Sequence, residues 1–359
     1  MEVKKPTSAL NVGGDRLSAR FSQKKQPVTL TARMASTKLS YTPTEFLVPV
    51  KTVALRGDES GEAPILTCEG SNEDCLIDFA DQASLDELAA RAEESFPAGT
   101  YNRAVFGLCG QDGQLADNFV RVKGKWTEGE TTYFTTNDPT NPISESSDDW
   151  GLLEVPVKTC NLDMAFSSEL VVADGDSVSI TLFPVISGIG YFMTAATDQL
   201  GNCANGTGEA VCVNYPNLIP YVGTGDGLME SYSVQSDAAD FDTTFGLMHL
   251  LFNEAGEAFG GMTFKYFRPE TNEDSGWAFG QAVREITKDA DDTYDFGTFG
   301  SNPSTDVHGY LNWTGFSRIA DVGGTSAQSF QESRNGSPLG EAISCSVVRV
   351  DPESLIDGS

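Results

Sequence analysis

Leu170-Val-Val-Ala-Asp-Gly-Asp-Ser-Val-Ser-Ile-Thr-Leu-Phe-Pro-Val185 is the stretch on which the fold class turns. Asp174-Gly175 stands between two alternating runs, and Asp and Gly tolerate the positive φ that a tight hairpin turn demands. The stretch predicts two paired strands, Met164–Val172 and Ser177–Val185.

The same pattern recurs outward from it. Phe46-Leu-Val-Pro-Val-Lys-Thr-Val-Ala-Leu55 reads as a single core strand, with further strands at Tyr101–Leu108, Phe119–Trp126, Thr131–Thr135 and Leu152–Cys160. Downstream, strands are predicted at Gly190–Thr197, Thr244–Phe252, Gly261–Phe267, Trp277–Thr287, Val307–Phe316 and Glu341–Val350. Thirty-six Gly and 16 Pro, spread along the chain, supply the turns between them.

One helix interrupts the pattern. Ser84-Leu-Asp-Glu87 fits a capping box, and Leu85, Leu88, Ala89, Ala92 and Phe96 repeat at helical spacing until Pro97 and Gly99. The expectation is an all-β protein of 359 residues with one short helix at 84–96. Its length suits two tandem antiparallel sandwich-type domains, 36–187 and 188–359, behind a basic arm of residues 1–35.

Charge is divided unequally along the chain. Residues 1–40 hold eight Lys/Arg and two acids, whereas the other 319 hold 15 basic and 50 acidic side chains. A net charge of −29 repels phosphate, which argues against nucleic acid and anionic membranes as partners. It also makes the body attractive to a flexible basic arm, its own or a neighbour's. Val28-Thr-Leu-Thr-Ala-Arg-Met34 alternates like a strand, so Val28, Leu30, Ala32 and Met34 are candidate pocket-filling residues if this arm adds to a sheet edge.

Cysteine spacing speaks to compartment. Cys68 and Cys75, and likewise Cys203 and Cys212, enclose short polar loops that suit disulfide-closed hairpin ends. Cys109 and Cys160 are candidates for a cross-strand pair, which leaves Cys345 as the odd one of seven. Zinc prefers tighter Cys spacing or histidines, and only His249 and His308 are present. Disulfides imply export to the cell surface or the extracellular medium. Residues 1–30 carry no apolar core of a signal peptide, so the chain reads as one whose leader has been removed. No run reaches the ~18 apolar residues of a transmembrane helix.

Four segments, in order, carry a resemblance: Phe46–Leu55; Phe96-Pro-Ala-Gly-Thr-Tyr101 with the strand after it; Gly151-Leu-Leu-Glu-Val-Pro-Val-Lys-Thr-Cys160; and Leu170–Val185. Residues 40–187 resemble a family of uncharacterised bacterial surface-lipoprotein domains with a transthyretin-like, prealbumin-type β-sandwich. Leu182-Phe183-Pro184 stands where that family usually places an aspartate. The resemblance implies a surface or secreted location and brings no catalytic residues.

Enzyme motifs are scarce. There is no Gly-x-Ser-x-Gly elbow, P-loop or His-Glu-x-x-His, and Gly223-Thr-Gly-Asp-Gly227 lacks both the strand–helix frame and the Lys of a phosphate loop. His249 lies in an apolar strand, where it reads as a satisfied core histidine. Among metals calcium fits best, through Asp289, Asp291, Asp292 and Asp295, although Tyr294 stands where an EF-hand turn requires Gly.

The expectation is therefore a non-enzymatic surface or extracellular structural protein, a homo-oligomer or polymer assembled as a filament or sheath through its arm. An adhesive or carbohydrate-binding module is the alternative, with Trp126, Trp277, Trp313 and Tyr310 as stacking faces for a glycan. A secreted glycoside hydrolase ranks third.

Overall fold

The structure is a computed structural model. It describes residues 2–3, 7–8, 38–92, 97–109, 118–128, 130–157, 159–174, 180–194, 202–206, 209–213, 217–222, 227–236, 246–264, 281–289, 293–300, 309–334, 337–338 and 340–351.

The chain opens with two short strands, β1 (Glu2–Val3) and β2 (Thr7–Ser8). After β3 (Lys38–Tyr41) come β4 (Glu45–Pro49), β5 (Thr52–Gly57), β6 (Gly61–Thr67) and β7 (Leu76–Asp78). Helix α1 (Gln82–Ala90) leads to β8 (Gly99–Gly107), β9 (Phe119–Lys123), β10 (Lys125–Glu128), β11 (Thr131–Thr135) and β12 (Ile143–Ser144). Then follow β13 (Leu153–Pro156), β14 (Asn161–Val172), β15 (Ile180–Val185), β16 (Gly190–Thr194), β17 (Asn202–Asn205), β18 (Glu209–Val213) and β19 (Asn217–Val222). The last group is β20 (Leu228–Ser236), β21 (Gly246–Phe252), β22 (Ala258–Phe264), β23 (Gln281–Lys288) and β24 (Thr293–Gly300). It is completed by β25 (Gly309–Ser317), β26 (Thr325–Arg334), β27 (Ser337–Pro338) and β28 (Ile343–Val350).

The fold is all-β with one α-helix among the described residues. Two four-stranded sheets, β13-β9-β4-β7 and β14-β8-β5-β6, enclose a common core that includes Phe46, Val53, Phe106, Val122 and Val155. The predicted core strand 46–55 is in fact two strands in different sheets. Val50 and Lys51 carry the chain across, held by Val50 N–H to Cys75 O (2.9 Å) and Lys51 N–H to Gly107 O (2.8 Å).

The strands on either side of Asp174, expected to pair with each other, lie in different sheets among the described residues. Among the described residues β14 pairs with β8, whereas β15 pairs with β19 and β1. The reason is burial: all six residues of β15 are buried, which suits an enclosed strand, while β14 leaves Glu169 and Val171 exposed beside buried Leu170 and Val172.

Helix α1 starts two residues before its predicted position and ends at Ala90. Asp81 is the N-cap, its carboxylate accepting the Ser84 N–H at 3.1 Å, so the Ser84–Glu87 capping box does not form. Glu87 instead pairs with Arg91, one turn on. Phe96, assigned to this helix from the sequence, lies outside the described residues.

Beyond residue 227 a nearly closed barrel stands where a sandwich-type domain is expected. Strands β20 to β26 pair consecutively, and β28 pairs with both β26 and β20. Its interior holds Tyr232, Met248, Leu250, Phe252, Phe296, Trp313, Phe330 and Val347. A bulge on β25 places Trp313 and a further interior residue, Phe316: Thr314 and Gly315 together oppose Asp295, so both rings turn inward. Gly315 provides the positive φ, +66°, that the bulge needs.

Strand β21 is buried on both sides. Met248, Leu250 and Phe252 enter the barrel, while Leu247 and Leu251 join the cluster that also contains Phe46 and Val185. That cluster runs unbroken through Val185, Ile186, Ile189 and Phe192, across position 187/188.

Candidate functional site

The three expected disulfides form: Cys68–Cys75, Cys109–Cys160 and Cys203–Cys212. Cys203 and Cys212 face each other across the β17–β18 ladder, and Cys345, in no disulfide, is buried in the barrel. Among the described residues no helix is long and apolar enough to cross a membrane.

The beginning of the arm lies on the body. Glu2 and Val3 run parallel to Thr181 and Leu182 of β15, and Thr7 and Ser8 run parallel to Leu228 and Met229 of β20. The second position has a simple cause. Strand β28 pairs with β20 only from Ser231 to Ser236, so the ladder at Leu228–Met229 is open for β2. Val28, Leu30, Ala32 and Met34 lie outside the described residues.

The expected calcium residues divide among different tasks. The Asp289 carboxylate accepts the Thr293 N–H at 2.9 Å and the Thr293 hydroxyl, at the turn between β23 and β24. Asp295 belongs to β24 and accepts the bulge N–H of Gly315 at 2.7 Å. Asp291 and Asp292 lie outside the described residues, among which no cluster of metal-ligating side chains is found.

Two expected stacking faces are interior. Trp126 is buried against Tyr133, and Trp313 is enclosed by Phe296, Phe316 and Phe330 at ring distances of 5.2–5.8 Å. Trp277 and the Tyr310 side chain lie outside the described residues.

His249 faces the cluster outside the barrel. Its Nε2 lies 3.0 Å from the Ser187 carbonyl, which can only accept, so Nε2 carries the proton and Nδ1 accepts the Ser231 hydroxyl at 2.8 Å. Burial lowers its pKa to about 4, against a smaller upward effect of the bond to Ser187. Both partners are neutral, so the ring is held as an uncharged bridge between β21 and the 187–188 turn. His308 lies outside the described residues.

The most heavily charged interior group went unread in the sequence. Glu230, on the barrel-facing side of β20, accepts Arg318 Nη2 at 2.7 Å and Arg318 Nε at 3.0 Å, and Arg349 Nη2 lies 3.1 Å away. The Tyr232 hydroxyl donates to the same carboxylate. Burial and the Glu230 charge push the Tyr232 hydroxyl pKa upward. Arg318 also lies over the Phe252 ring at 4.1 Å, and Arg349 donates to the Ile319 and Ala320 carbonyls. The network ties β20 to β28 and to the residue that follows β25. In the sequence, a Glu in an alternating strand reads as solvent-facing, and its partners stand 88 and 119 positions away.

Comparison with known protein families, curated proteins and solved structures finds no match for this chain.

Proposed function

We propose that the chain is a non-enzymatic extracellular or cell-surface structural subunit, assembled by an N-terminal segment that one copy lends to the next. The observation that carries the reading is the placement of residues 2–3 and 7–8 as added strands on β15 and β20. Each ladder spans two residues, and a backbone hydrogen bond nets about 1 kcal/mol, so either contact is weak enough to exchange between copies. Residues 9–37 separate β2 from β3, and 29 residues span up to ~95 Å when extended, enough to reach a neighbour. The basic arm and acidic body give such docking its direction. Three disulfides and the resemblance to surface-lipoprotein domains support an oxidising location.

Deleting residues 1–35 tests the reading. Folded monomers that no longer assemble, seen by light scattering and negative-stain microscopy, are expected, and high salt should weaken assembly of the intact chain. Assembly that persists unchanged after the deletion refutes it.

A further inference from the structure

The crossover at Val50–Lys51 places a lysine under a disulfide. Lys51 is only 7% exposed, and its ammonium donates to the Gly70 carbonyl at 2.6 Å and lies 3.5 Å from Cys75 Sγ. Its backbone is fixed on both sides, since Lys51 N–H donates to Gly107 O and Lys51 O accepts Cys68 N–H at 2.7 Å. The ammonium is therefore held in place by the same crossover that carries the chain from one sheet to the other.

The two sulfurs differ. Cys75 is fully buried beside the ammonium, whereas Cys68 is half-buried at the mouth of a loop whose Glu69, Gly70 and Ser71 are exposed. We propose that Cys68–Cys75 is a thiol-exchange site, where an external thiol attacks Cys68 and Lys51 receives the Cys75 thiolate. The incoming thiolate forms a bond to Cys68 Sγ, the Sγ–Sγ bond breaks, and its electron pair leaves on Cys75 Sγ. The product is a mixed disulfide on Cys68 and a thiolate at Cys75, beside a fixed positive charge. Stabilising the leaving thiolate accelerates such exchange.

Other charges bear on this site. Asp74 feels Lys51 and is held by the Ser71 N–H and hydroxyl, while Glu73 is bound by Arg121 of β9. The carboxylates thus have partners of their own, and the ammonium stands within contact of Cys75 Sγ. The other disulfides differ in kind. The side chain beside Cys109 Sγ is the neutral Asn118 amide, and Cys203 and Cys212 are both buried within a strand ladder. The substrate class is a small or protein-borne thiol, and opening would release the 68–75 loop.

The test incubates the full chain with reduced glutathione, quenches by alkylation and maps thiols by mass spectrometry. Cys68–Cys75 should open first, with glutathione attached to Cys68. Lys51→Met should slow that opening on the order of tenfold, while Lys51→Arg, which keeps the charge, should retain most of the rate. Earlier opening of either other disulfide, glutathione on Cys75, or an unchanged rate in a folded Lys51→Met protein would overturn the proposal. If Lys51→Met fails to fold, the order of opening and the site of attachment in the native chain still decide.

Discussion

Replacing Glu230 with Ala should cost about 3 kcal/mol of stability. The carboxylate side chain is 1% exposed, and at ~3 Å each ion pair is worth about 5 kcal/mol with an effective dielectric of 20, largely offset by desolvation. The large loss comes from the partners left behind. Removing one side of a buried pair costs about 3–5 kcal/mol, because the remaining charge is stranded. Here the two arginines differ. The Arg318 side chain is 32% exposed and regains water, whereas that of Arg349 is 9% exposed and does not. Arg349 keeps the Ile319 and Ala320 carbonyls, which places the expected cost at the lower end of the range. Urea unfolding followed by tryptophan fluorescence measures it, since Trp313 reports from the barrel interior. The double replacement Glu230→Leu with Arg349→Met should recover most of the loss, because it removes the one charge left stranded in the interior while Arg318 turns to water. A cost below about 1 kcal/mol for Glu230→Ala, or no recovery in the double variant, would refute this account.

Three further outcomes follow from buried groups. His249 binds its proton with a pKa of about 4 in the folded chain and about 6.5 unfolded, so its contribution to stability is complete above pH 6.5 and is lost as pH falls toward 4. The full loss is about 3 kcal/mol, and an NMR titration showing His249 protonated near pH 6.5 would contradict it. Tyr41→Phe should stabilise by about 1 kcal/mol, because the buried Tyr41 hydroxyl has no hydrogen-bond partner among the described residues; a loss of that size by thermal unfolding would refute this. Replacing Cys109 and Cys160 with Ala removes a link across a sequence separation of 51 and should cost about 4 kcal/mol by chain entropy, measured by denaturant midpoint; a change under 1 kcal/mol would count against that mechanism.

Local features were legible in the sequence, and partnerships were not. The strand at Thr131–Thr135 has its predicted bounds, and the cysteine pairs were visible because side-chain alternation and short loops are near-neighbour properties. Leu170–Val185 shows where that logic ends. Asp-Gly is a local turn signal, but whether the flanking strands pair depends on distant competitors, here β8 and β19. Phe46–Leu55 misled for a similar reason, since an apolar run does not reveal that its two halves serve facing sheets. Strands β20, β24 and β26 escaped notice because their charged and small residues dilute the alternation. The Glu230 network was invisible altogether, because a charge is read as exposed until the residues that neutralise it are known. Of the candidate site, the arm's basic charge was plain, but which ladders its first residues join depends on where β28 ends.

Strand β21 gives successive side chains to opposite cores, Leu250 to one and Leu251 to the other. Loosening either core withdraws support from the strand that walls the other. The two halves should therefore melt together in calorimetry, as one heat-absorption peak and not two. A cut between positions 187 and 188 would free neither as a self-sufficient piece, since each fragment would carry away an oily surface meant for its counterpart.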